Sequence, residues 1–73
     1  MIVLDQRGRR CPLPVLALAR AVAEAPVGEV VAVAATDPAA AVDIPAWCRM
    51  RGHAYEGSTP DPDGTPVHHV RKQ

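Results

Sequence analysis

Phenylalanine is absent from this 73-residue chain, and Trp47 and Tyr55 are its only aromatic side chains. An aromatic platform for stacking single-stranded bases therefore has almost nothing to build on. Net charge is missing as well: eight basic side chains balance eight acidic ones, which argues against a polyelectrolyte role on nucleic acid or a membrane surface. Cysteine is scarce. Cys11 and Cys48 stand far apart, form no CxxC pair and have no histidine at zinc-site spacing, so neither a disulfide framework, a metal site nor a cofactor is expected. No apolar run approaches the ~20 residues of a membrane-spanning helix. No basic segment leads into an apolar signal stretch before Ile2-Val3-Leu4. These absences point to a cytoplasmic protein with reduced thiols, built as one domain over residues 1–73.

What is present has a regular rhythm. Ile2 to Asp5 is short and β-branched, a first strand, and Gln6 to Arg10 with Gly8 is a turn. Pro12 suits the first position of a helix, Pro14 its first turn, and Val15, Leu18, Ala19 and Val22 form an apolar stripe ending near Ala25, before Pro26 and Gly28. Val30 to Ala34 is a continuously apolar strand, as expected for a central position. An irregular turn over Pro38 to Val42 and a helix from Ile44 to Arg51 follow, with Asp43 as N-cap, Pro45 in the first turn and Gly52 as the stop. His53 to Gly57 and Pro66 to Arg71 complete the pattern as strands around the turn-rich Pro60-Asp61-Pro62-Asp63-Gly64. The order βαβαββ predicts an α/β two-layer sandwich, with two helices packed on a four-stranded mixed sheet.

Cys11 stands where the first turn enters the first helix. Unpaired amides and the positive end of the helix dipole favour a thiolate there, and Arg7, Arg9 and Arg10 add positive charge nearby. Pro12 and Pro14 withdraw two amides but stiffen the backbone that presents the sulfur. Asp5 is placed to brace the loop through an arginine, and Gly8 to supply a positive φ. Cys48 shares a face with Ile44 and Trp47, which reads as core packing. His68 and His69 alternate across a strand and form no ligand set.

Leu4-Asp5-Gln6-Arg7-Gly8-Arg9-Arg10-Cys11-Pro12-Leu13-Pro14 resembles the Leu-Asp-x-x-Gly-x-x-Cys-Pro-x-Pro signature of the TusA/SirA sulfur-carrier family. Asp37-Pro38-Ala39 with Asp43-Ile44-Pro45-Ala46-Trp47-Cys48 is similar to that family's second helix region, and Gly52-His53 and Val70-Arg71-Lys72 to its usual ending. The resemblance implies a persulfide on Cys11, supported by Asp5, Arg7, Gly8, Arg10, Pro12 and Pro14. It implies a cysteine desulfurase or rhodanese-like protein as sulfur donor and a second protein as acceptor, serving tRNA thiolation, molybdenum-cofactor synthesis or sulfur oxidation. Arg9, where the family often has a non-basic residue, and Val67-His68-His69 in place of an aromatic depart from its pattern. Two other readings stand beside this one: a non-catalytic regulatory or RNA/protein-binding module, and a thiol redox protein pairing Cys11 with Cys48, which needs their Cα atoms within ~7 Å.

Overall fold

A computed structural model describes all residues 1–73. Its elements in chain order are β1 (Ile2–Asp5), α1 (Leu13–Glu24), β2 (Val30–Ala34), α2 (Ala40–Arg51), β3 (Ala54–Pro60) and β4 (Pro66–Arg71). The strands form one sheet in the order β1-β2-β4-β3, with β1 parallel to β2 and the β2–β4 and β3–β4 pairs antiparallel. This is the two-layer mixed α/β sheet that the βαβαββ order predicts.

The continuously apolar β2 is central because both its neighbours cover it. Val31 pairs with Val70 and Val33 with His68 on the face that meets the helices. Leu18 and Val22 of α1 and Ala40, Ile44 and Cys48 of α2 close that core, all nearly or wholly excluded from water. With so few aromatics, the one polar side chain in this layer matters: His68 is buried, with Nδ1 3.0 Å from the Tyr55 hydroxyl, and burial lowers its pKa, keeping the ring neutral. His69 lies on the opposite face, beside the Thr59 hydroxyl.

Two boundaries differ from the sequence expectation. Helix α2 begins at Ala40, inside the segment read as an irregular turn, so Asp43 lies in its first turn and Pro45 inside it. The cause is Asp37: its Oδ1 accepts the Ala39 N–H at 2.9 Å, and the Asp37, Pro38 and Ala39 carbonyls accept from Ala40, Ala41 and Val42 in a tight opening turn. The helix-favouring alanines at 39 to 41 then start the helix ahead of the Asp43 cap and first-turn Pro45 expected from the sequence. Strand β3 runs past Gly57 to Pro60. Gly57 has φ +96° within a register irregularity between Tyr55 and Ser58, so it bends the strand without ending it, and Pro60 is tolerated on an edge.

Cys48 is 1% exposed in the core. Cys48→Ala is expected to fold with a small loss. Cys48→Ser, which buries a hydroxyl in the same place, is expected to lose about 1–3 kcal/mol. Urea denaturation of the two variants checks this.

Candidate functional site

Cys11 lies in the connection from β1 to α1, at the carboxyl end of the sheet's parallel pair. Three bonds pin this loop to the chain leaving β2. The Gln6 N–H donates to the Ala34 carbonyl at 2.8 Å, the Gly8 N–H to Thr36 Oγ1 at 2.9 Å, and the Cys11 N–H to Asp37 Oδ2 at 2.9 Å. Gly8 adopts φ +77°, which a side chain would oppose. The sulfur-bearing residue is half-buried and packs against the rim of the core.

The amides at the start of α1 are nearly all in use. Pro12 is the N-cap and Pro14 the second helical residue, Leu13 donates to the Arg10 carbonyl and Leu16 to the Pro12 carbonyl. That leaves the Val15 N–H as the one amide of the first turn without a protein acceptor. Pro14 is also fully buried, so it anchors the helix to the core as well as stiffening the loop.

Charge around the sulfur is opposite to the sequence expectation. The Cys11 thiol is pushed up to about 11, first by burial, then by the Asp43 carboxylate, which disfavours its anion, then by the charge of Asp37. No arginine offsets this. Arg7 reaches across to the β3–β4 turn, with Nη2 2.6 Å from Asp61 Oδ2, Nε 3.8 Å from Asp63, and Nη1 3.8 Å from Asp5. Asp5 also accepts the Arg7 N–H at 3.2 Å. The charge of Arg10 acts on Asp37, whose carboxyl is held below its usual range by the Cys11 and Ala39 amides first. Arg9 lines two shallow surface clefts, one with Gly8, Arg10 and Thr36, the other with Leu13, Leu16 and Arg20. The resting site is therefore a neutral thiol beside two carboxylates, in place of the expected arginine-supported thiolate.

Asp37, Thr36 and Asp43 are the site residues that sequence reasoning missed. In the sequence Thr36-Asp37-Pro38 marks a turn or helix start and Asp43 a cap. The available signal for Asp43 was its i, i+4 relation to Trp47, which puts both on the seam between the helices. Asp43 lines a cleft there with Pro12, Val15, Ala46, Trp47 and Met50. Leu13 and Leu16 of α1 and Val42 and Met50 of α2 expose large apolar side chains, Met50 at 79%. Both cysteines are free thiols, no three His, Cys, Asp or Glu side chains converge as a metal site, and no helix is long and apolar enough to cross a membrane.

Comparison with known proteins gives one consistent result. The family model described as sulfurtransferase TusA matches residues 2–72. The sulfur carrier protein TusA of Pseudomonas entomophila is 40% identical over 70 residues, covering 96% of this chain and 86% of that protein. A protein of Archaeoglobus fulgidus is 42% identical over 53 residues, 73% of each chain. The crystal structure of a SirA-like protein from Desulfitobacterium hafniense superposes with a TM-score of 0.85 at 25% identity, covering 97% of this chain and 96% of that one.

With its pKa near 11, Cys11 has a thiolate fraction that falls about tenfold for each pH unit below that value. Alkylation of Cys11 by iodoacetamide is expected to be slower than that of free cysteine at neutral pH. It should still be rising with pH above ~8.5, where an ordinary thiol levels off. Mass spectrometry of quenched time points measures it. Arg7→Ala, which releases the loop from Asp61, should raise amide exchange in residues 6 to 11.

Proposed function

The chain belongs to the sulfurtransferase TusA family, and from that premise we propose that Cys11 accepts a sulfane sulfur as a persulfide and hands it to a partner protein. The supporting observation is a half-buried cysteine whose backbone is pinned by Asp37 and whose flanks carry exposed apolar side chains. A donor bearing R–S–SH and Cys11–SH exchange to give R–SH and Cys11–S–SH. One S–S bond breaks, one forms, and no net oxidation occurs.

A neutral resting thiol suits this role. A carrier of activated sulfur meets many electrophiles and oxidants between donor and acceptor, and only the thiolate reacts with them readily. Ionisation confined to the docked complex keeps Cys11 available for transfer. The donor fitting this chemistry is a cysteine desulfurase or a rhodanese-like protein, which forms a persulfide on its own cysteine. The acceptor is a protein with a nucleophilic thiol, and the route served (tRNA thiolation, molybdenum-cofactor synthesis or sulfur oxidation) follows from which acceptor docks. Asp5, Arg7, Gly8, Pro12 and Pro14 hold the loop in place, and Arg10 acts through Asp37.

Incubation with a cysteine desulfurase and cysteine is expected to add the mass of one sulfur atom to the intact protein. Cys11→Ser should abolish the added mass and Cys48→Ala should retain it. Equal labelling of the Cys11→Ser protein overturns the assignment.

A further inference from the structure

A second cleft lies between the later turns of α1 and α2, with a volume of about 330 Å³. Ala19, Val22 and Ala23 of α1 give it an apolar side. Trp47 and Arg51 come to it from α2, His53 from the chain before β3, and Lys72 from the chain after β4. Its polar groups are all donors. Arg51, Lys72 and the Trp47 indole can only donate, and His53 has one ring nitrogen that accepts. That nitrogen, Nδ1, takes the Gln73 N–H at 3.2 Å, so the neutral ring carries its proton on Nε2, one more donor. No carboxylate lines the cleft. The acids that form ion pairs are engaged elsewhere: Glu29 with the amino group of Met1, Asp61 with Arg7 and Glu56 with Arg71. The donors are also held in place. Lys72 Nζ donates to the Ala25 carbonyl at 2.6 Å, and the Lys72 N–H to the Glu29 carbonyl at 2.9 Å. The His53 N–H donates to the Cys48 carbonyl at 2.9 Å, and its ring stacks on Trp47 with centroids 5.3 Å apart. Capping of helix ends accounts for Arg51 and Lys72 one at a time. It does not account for three donor groups sharing one apolar hollow in which no side chain accepts from them.

We propose that this cleft binds a small organic acid, a carboxylate carried on an apolar carbon frame. The carboxylate supplies the acceptors that Arg51, Lys72 and His53 Nε2 lack, and the Arg51 fork can take both oxygens at once. The frame lies on Ala19, Val22 and Ala23 and against the Trp47 ring. An inorganic anion would use the donors and leave the apolar side wet. A neutral hydrocarbon would cover that side and strand the donors. The volume is at the lower end of the ~300–1,000 Å³ of small-molecule sites. Two fixed bridges, Lys72 to Ala25 and His53 on Trp47, bound the hollow, which suits one small molecule better than an extended segment of another protein. Cys11 is not part of this lining, so the site stands apart from sulfur carriage. Trp47 also lines the cleft with Pro12 and Val15, so an occupant here meets the same ring that borders the start of α1.

Trp47 is the only tryptophan of the chain, so its fluorescence reports on this cleft directly. Hexanoate is titrated into the full chain at constant ionic strength, and a saturable change with Kd of about 1 mM or tighter is expected. Hexanamide, which lacks the charge, and acetate, which lacks the frame, should each bind ~10-fold or more weakly. Arg51→Gln should weaken hexanoate ~10-fold. Ala23→Leu, which fills the cleft from an exposed helical position, should abolish the response. Circular dichroism checks that both variants fold. Cys11→Ser should bind as the wild type does, which separates this site from the carrier reading. No saturation by ~50 mM hexanoate, well above the expected constant, overturns the proposal. So does equal affinity for hexanamide, equal competition by phosphate, or unchanged binding in both cleft variants. A response to a glutamate-rich peptide with none to hexanoate makes the cleft a protein-docking surface and overturns the small-acid assignment.

Discussion

One carboxylate ties the molecule together at its functional end. Asp37 accepts the Cys11 N–H with one oxygen and the Ala39 N–H with the other, so it fixes the cysteine loop and starts α2 at once. If Asp37 were only a helix start, the loop after β1 would hang on the Gln6 and Gly8 amides and the Arg7 ion pair, all upstream of Cys11. If it were only a loop anchor, the alanine-rich opening turn of α2 would lack its first side-chain acceptor. Because α2 begins where it does, Asp43 falls in its first turn and gives the cleft lined by Pro12, Val15 and Trp47 its one acidic wall. Position of the sulfur and identity of its neighbours thus follow from a single bifunctional side chain.

The electrostatics around the sulfur follow a different logic from that of a catalytic thiol protease or a disulfide oxidoreductase, where a base or dipole keeps the anion populated. Burial and two acidic neighbours hold the Cys11 proton in place. Relatives are named sulfur carrier proteins, and in the carrier role proposed above a thiol held neutral is spared side reactions until a partner docks. The arginines that crowd the sequence before Cys11 serve geometry instead, Arg7 by clasping Asp61 and Arg10 by facing Asp37.

Much of this was legible from the residues. Strands β1, β2 and β4 have the boundaries the sequence predicts, because short β-branched runs between turn residues have little else to become. The burial of Cys48 and the opposite orientations of His68 and His69 were readable from periodicity. Helix α2 was misjudged at its start because proline was weighed above three alanines and a capping carboxylate two residues upstream of them. The charge at Cys11 was misjudged for a longer-range reason. Arg7 lies four residues before the cysteine in sequence, but its partner Asp61 lies 54 residues away from it, and Asp43 acts on the thiol only once the two helices are packed. Local sequence reports which charges are close along the chain; the fold decides which of them are neutralised.

The bend at Gly57 has a consequence for colloidal behaviour. β3 forms an outer border of the sheet, and a straight outer border is a template on which another copy can zip by main-chain pairing. The kink breaks the spacing of free amide and carbonyl groups along that margin, and Pro60 deletes one donor at its end. A chain with no net charge to keep its copies apart in solution is thereby spared fibre growth along this side.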